Sequence, residues 1–129
     1  MAEAGYDFFC SQNQYKMIKQ EVPFLSRCID LVLVDEAEKI ISIEYKIKNW
    51  RHAIEQATNH KLGADEAYIC LPERKISEEL RKAIYNAGLG LLFYNAQRSD
   101  CIYKAIAPPE YSANVLAFRR MLRNNVERV

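Results

Sequence analysis

The 129-residue chain carries 18 Lys/Arg against 17 Asp/Glu for a formal net charge of +1, with half its residues apolar and 27% charged. That profile reads as one globular domain spanning residues 1–129, since domains commonly run about 100–200 residues and a chain of this size buries roughly two-thirds of its unfolded surface without disulfides or metals. Near-neutral charge gives no global bias toward a polyanion, and no run of about 18 apolar residues offers a membrane span.

The opening MAEAGYDFF has neither the basic flank nor the apolar core of a signal peptide. Cys10, Cys28, Cys70 and Cys101 are scattered without a CxxC pair, and His52 and His60 lie eight apart, which is no zinc-site spacing. Free thiols and a cytoplasmic setting are the expectation.

In chain order, residues 4–19 carry Ala4, Phe8, Phe9, Tyr15 and Ile18 at roughly helical spacing, a pattern that Pro23 breaks. KQEVPFL is a candidate short strand. RCIDLVLV (27–34) and KIISIEYKIK (39–48) are rich in β-branched residues and bracket DEAEK, as a hairpin would. Residues 50–62 place Trp50, Ala53, Ile54 and Ala57 on one helical face. EAYICLP (66–72) reads as a buried strand closed by a proline. Ser77 is a good N-cap for a helix with Glu78 and Glu79 in its first turn, with Ile76, Leu80, Ala83, Ile84 and Ala87 inward and Gly88 as its stop. Residues 88–95 and 101–107 look like two more strands. A last helix over 112–126 turns Val115, Leu116, Phe118, Met121 and Leu122 inward. This order predicts a three-layer α/β domain, a mixed sheet flanked by helices.

Within 40–50, IISIEYKIKNW, the charged pair Glu44 and Lys46 interrupts an apolar alternation. The triplet alone is weak evidence, because Glu73-Arg74-Lys75 repeats it in a segment with no alternation. Parity says more. Side chains alternate between faces along a strand, so Ile41, Ile43, Tyr45 and Ile47 share one face and Ser42, Glu44, Lys46 and Lys48 the other. A three-residue turn at 36–38 would set Leu33 opposite Ile41, Leu31 opposite Ile43 and Ile29 opposite Tyr45. The same register sets Asp30 opposite Glu44, and a one-residue slip would mix polar and apolar faces. Like charges directly opposite are destabilising in a purely structural sheet. Two carboxylates beside a lysine instead suit Mg²⁺ or Mn²⁺. The rival reading is an exposed pair of acids neutralised by Lys46.

Asp30, then Glu44-Tyr45-Lys46 on a hairpin, then a helix containing Gln56, resembles the PD-(D/E)XK nuclease superfamily (restriction-endonuclease-like), whose members share an αβββαβ core. The likeness runs from near Glu21 through RCIDLVLV, IEYKIKNW, AIEQATNH and GADEAYICLPE, and more loosely through AGLGLLFYN. It implies Asp30 and Glu44 as metal-binding carboxylates, the Tyr45 backbone carbonyl as a further ligand, Lys46 as the catalytic lysine and Gln56 as a supporting residue. The motif's usual proline is absent, since Ile29 precedes Asp30. For the upstream acid that many members carry, the candidates are Glu3, Asp7 and Glu21, with Glu21 favoured. The implied activity is Mg²⁺- or Mn²⁺-dependent phosphodiester hydrolysis of nucleic acid, with DNA the first choice. The alternative is a catalytically degenerate module of the same fold that binds nucleic acid or a protein. Lys48, Arg51 and His52, with Asn49 and Lys61 nearby, are candidates for substrate contact. Arg119, Arg120 and Arg123 read first as the charged outer face of an amphipathic helix. The small size points to a homodimer or a partner protein.

Overall fold

The computed structural model describes residues 2–98, 101–110 and 114–129. Its elements are α1 (Ala2–Gln12), β1 (Tyr15–Phe24), β2 (Arg27–Asp35), β3 (Ile40–Tyr45), α2 (Trp50–His60), β4 (Glu66–Pro72), α3 (Glu78–Ala87), β5 (Gly90–Asn95), a short 3-10 turn (Ala96–Arg98), β6 (Cys101–Ile106) and α4 (Leu116–Arg128). The first six elements follow the αβββαβ order. One six-stranded sheet runs β1-β2-β3-β4-β5-β6. β1–β2, β2–β3 and β5–β6 are antiparallel, whereas β3–β4 and β4–β5 are parallel.

Three layers result because each sheet face is apolar and must be covered. On one face, Leu31, Leu33, Ile43, Cys70 and Leu92 pack under Phe9 of α1. On the other, Ile69, Leu71 and Leu91 meet Ala53 and Ala57 of α2 with Leu80 and Ile84 of α3. Further along that second face, Val32, Val34 and Ile40 meet Leu122 and Val126 of α4. Among the described residues, no helix is long and apolar enough to cross a membrane.

Several sequence expectations hold in detail. Ser77 caps α3 by accepting a hydrogen bond from the Leu80 amide at 3.1 Å, and Gly88 closes it in the left-handed region at φ 69°. The β2–β3 register pairs Leu31 with Ile43 and Leu33 with Ile41. Its turn is held by Asp35, whose Oδ1 accepts from the Ala37 and Lys39 amides.

Two expectations fail at the chain ends. The helix expected over 4–19 stops at Gln12, where Asn13 turns left-handed at φ 54°. Tyr15 and Ile18 then join β1, whose long antiparallel ladder with β2 outweighs a weak helical periodicity. In α4, Leu122 and Val126 are the buried residues and Phe118 is packed beside them, while Val115, Leu116 and Met121 face outward. Its expected start at 112–113 lies outside the described residues. Arg119 and Arg123 also depart from an outer-face reading. Arg119 is paired with Asp65 at 3.0 Å and donates to the Glu38 carbonyl, and Arg123 bridges Glu38 and Glu127. These contacts tie α4 to the β2–β3 turn.

Candidate active site

β2 and β3 carry the two acids. Odd residues of β3 pack on the α1 side, so Ser42 and Glu44 point toward the face that holds α2 and α4. Glu44 is 4% exposed. Asp30 sits beside it, half-buried, at the point where the ladder gives way. The last β2–β3 pair is Leu31 with Ile43, and the next β3 amide, that of Tyr45, donates to Asp30 Oδ2 at 2.8 Å. Asp30 thus replaces a backbone acceptor with a carboxylate.

The expected pairings of Asp30 with Glu44 and of Ile29 with Tyr45 are not formed in the ladder, although Asp30 remains beside Glu44. Ile29 packs with Val22 and Phe24 in the α4 cluster. Opposite this point in β1, Glu21 takes a positive φ of 50° between the pairs Gln20–Leu31 and Val22–Ile29, and beyond it Val22, Phe24 and Ile29 all face the α4 side. The departure matters because it turns the Asp30 carboxylate onto the end of β3.

Electrostatically the two acids behave as a pair. Burial pushes the Glu44 carboxyl up to about 7, and the neighbouring Asp30 charge adds to the rise. Burial also raises Asp30, opposed by the Tyr45 amide, by a hydrogen bond shared with Glu44 and by the Lys46 charge. Glu44 Oε1 is fully enclosed and has no hydrogen-bond donor. A buried anionic oxygen without a donor costs several kcal/mol unless a proton or a cation supplies the missing partner.

Lys46 follows directly after β3. Its amide donates to the Cys70 carbonyl at 3.0 Å, anchoring it to the end of β4. Its charge lowers both carboxyls, yet among the described residues no carboxylate lies within ion-pair distance of it. Tyr45 turns its ring to the opposite face, against α1, where a Cβ on Gly5 would stand 2.0 Å from the Tyr45 hydroxyl. Gln56 lies on α2, on the Glu44 side of the sheet, and its Oε1 is buried without a donor. With the Ser42 hydroxyl, also buried without a partner, three unpartnered oxygens therefore lie on this side of the sheet among the described residues.

Of the three upstream acids, Glu3 and Asp7 ride on α1, across the sheet from Glu44. Glu21 is the one whose charge reaches Asp30 and raises it. Among the described residues, no cluster of three or more His, Cys, Asp or Glu side chains forms a complete metal cage. The substrate-contact candidates divide. Lys48 is exposed, whereas Arg51 pairs with Glu79 at 2.8 Å and lies over the Trp50 ring. His52 sits 3.9 Å from Glu55, and Lys61 donates to the Ala87 carbonyl at the end of α3. Beyond Lys46 a groove of about 360 Å³ opens between residues 47–50 and 71–75. One of its walls contains Glu73-Arg74-Lys75, the triplet that parity dismissed. Only knowledge that β3 and β4 run parallel would have placed it there.

No family model and no curated protein sequence matches the chain. Among solved structures, a protein of unknown function from Silicibacter pomeroyi is similar at a TM-score of 0.67 and 14% identity, over 98% of this chain and 81% of its own. A repair endonuclease from Pyrococcus abyssi is similar at a TM-score of 0.54 and 19% identity, over 84% of this chain and 46% of its own length. The fold is nuclease-like. This chain spans about half of that endonuclease, and identities this low speak for the fold alone.

His60 is the other buried titratable group of this nuclease-like layer. It is 4% exposed near the end of α2, and burial pushes its imidazole down to about 4. A base held neutral in the folded state contributes stability that is complete above the unfolded pKa of about 6.5 and is lost as pH falls toward 4. His60→Leu removes that dependence. Urea melts should show its stability relative to the parent rising by about 2–3 kcal/mol between pH 7.5 and pH 4.5. A difference independent of pH would show that His60 titrates in the fold as it does in the unfolded chain.

Proposed function

We propose that the protein is a divalent-metal-dependent phosphodiesterase of the PD-(D/E)XK type, acting on nucleic acid and on DNA first. The observation that carries this reading is the Asp30–Glu44 pair: the Tyr45 amide donates to Asp30 at 2.8 Å at the end of β3, the neighbouring Glu44 Oε1 is buried without a donor, and Lys46 stands beside them with no ion-pair partner among the described residues. Mg²⁺ is commonly held by one or two carboxylates plus water and substrate phosphate, a donor set that this pair matches.

Asp30 and Glu44 would hold the cation, with the Tyr45 carbonyl as a further ligand and Glu21 as the candidate acid from β1. Such a cation would supply Lewis-acid activation of water and of the scissile phosphate. Lys46 orients the attacking water and offsets the negative charge that builds on the phosphoryl oxygens. The Tyr45 amide fixes Asp30, and Gln56 supports the site from α2. Lys48 contributes positive charge on the substrate side. Arg51 and His52 sit further along α2, where the Arg51–Glu79 pair leaves less charge for phosphate. Such a small domain works as a homodimer or beside a partner protein.

Incubation of purified protein with single- and double-stranded oligonucleotides is the direct test. Cleavage is expected with Mg²⁺ or Mn²⁺ and none with excess chelator. Undiminished cleavage in chelator would overturn the metal-dependent mechanism. Metal-independent binding with no turnover on any polymer would point to the degenerate module instead.

A further inference from the structure

The groove beyond Lys46 joins two segments far apart in sequence. β3 and β4 run parallel and pair Tyr45 with Cys70, so 46–50 and 71–75 leave the same end of the sheet side by side. Open α/β sheets bind ligands at the carboxyl ends of their strands. The groove's rim carries Lys48, Arg74 and Lys75, none of which has a carboxylate partner among the described residues. Its one acid, Glu73, is drawn away by Asn95 Nδ2 at 3.2 Å and by the Tyr103 hydroxyl. Its apolar lining comes from Ile47, Trp50, Leu71 and Pro72, of which Ile47 is 71% exposed between two lysines.

Basic side chains beside an exposed apolar one fit a nucleotide whose phosphate meets Arg74 and Lys75 and whose base lies on Ile47 as its apolar floor. Bases inside a continuous duplex are stacked on their neighbours and present only edges, so they cannot occupy such a floor. We propose that this groove, through Arg74, Lys75 and Ile47, is a subsite for an unpaired nucleotide next to the scissile phosphate. The protein then prefers single-stranded or frayed nucleic acid to intact duplex. The inference rests on the nuclease reading for its substrate class, but binding without cleavage tests it separately.

The experiment is fluorescence anisotropy in chelator with a labelled single strand and the matching blunt duplex, read over a salt series. The parent protein should bind the single strand at least tenfold more tightly. Arg74→Ala/Lys75→Ala should cut single-strand affinity at least tenfold and flatten its salt dependence by about one unit of slope. Ile47→Asp should cut it fivefold or more, because it places a charge on the floor. All three positions are at the surface, so unchanged melting temperatures would exclude misfolding. Equal losses for single strand and duplex would reduce the groove to a phosphate patch and overturn the proposal. So would unaltered affinity in both variants while the parent still binds. A parent that binds neither polymer would overturn the nuclease reading together with it.

Discussion

Glu44→Gln is expected to make the metal-free protein more stable at pH 8 while abolishing cleavage. The stability gain follows from linkage. The Glu44 carboxyl is raised to about 7 in the fold, so its favourable contribution is complete below its ordinary value near 4.5 and is lost as pH rises through 7. At pH 8 the folded state must hold a buried carboxylate beside Asp30. A neutral glutamine relieves this and gives the Asp30 carboxylate an amide donor. The gain should be on the order of 2–3 kcal/mol at pH 8 and should vanish near pH 4, as read by urea or thermal melts. The same substitution removes an anionic ligand, so calorimetric Mn²⁺ affinity should fall by a factor of about 10–100 or more. Loss of stability at pH 8, with metal affinity intact, would mean that Glu44 is a structural acid whose partner is Asp30 alone.

The second large effect concerns Lys46. Lys46→Ala should lower the cleavage rate by a factor of about 10²–10³ at saturating metal, the usual loss for a positioned electrostatic group. Lys46 forms no ion pair among the described residues, and its strand anchor is a backbone hydrogen bond that alanine keeps. Melting temperature should therefore change little. Oligonucleotide affinity in chelator should fall only slightly, which separates a role in the chemical step from one in substrate grip. A Lys46→Ala protein that cleaves within a few-fold of the parent would remove the lysine from the mechanism. Lys75→Ala, in the second acid-x-Lys triplet, is the matched control. It should act on substrate affinity and leave the rate at saturation nearly unchanged.

His60 and Glu44 lie on the same side of the sheet and pull stability in opposite directions with pH. Between about 4.5 and 6.5 the unfolded chain gains a proton at His60 and loses one at Glu44, so their contributions largely cancel there. The dependence that each imposes becomes visible only when the other is substituted.

Read from sequence, the β2–β3 hairpin could be placed to the residue, because period-two alternation and one buried face allow a single register. Leu31 with Ile43 and Leu33 with Ile41 follow from that constraint. The α3 boundaries were legible for a similar reason, since Ser77 and Gly88 satisfy local backbone needs that no distant contact has to supply. Glu44 and Lys46 belong to this locally determined part, whereas the final setting of Asp30 at the end of β3 does not.

Tertiary structure decided everything that depends on a distant neighbour. Tyr15 and Ile18 fit a helix as well as a strand by periodicity, and the β2 edge chose the strand. Val115, Leu116 and Met121 of α4 are apolar yet outward, because Leu122 and Val126 meet the sheet and Arg119 is held by Asp65. Past the left-handed residue Glu21 the outer end of the β1–β2 pair faces α4, with Ile29 in that cluster and Asp30 capping the end of β3. Arg74 and Lys75 reach the neighbourhood of Lys46 only because β3 and β4 run parallel across an intervening helix. Local spacing can encode a hairpin and a cap. It carries no record of which strand will lie alongside once the intervening chain has folded back.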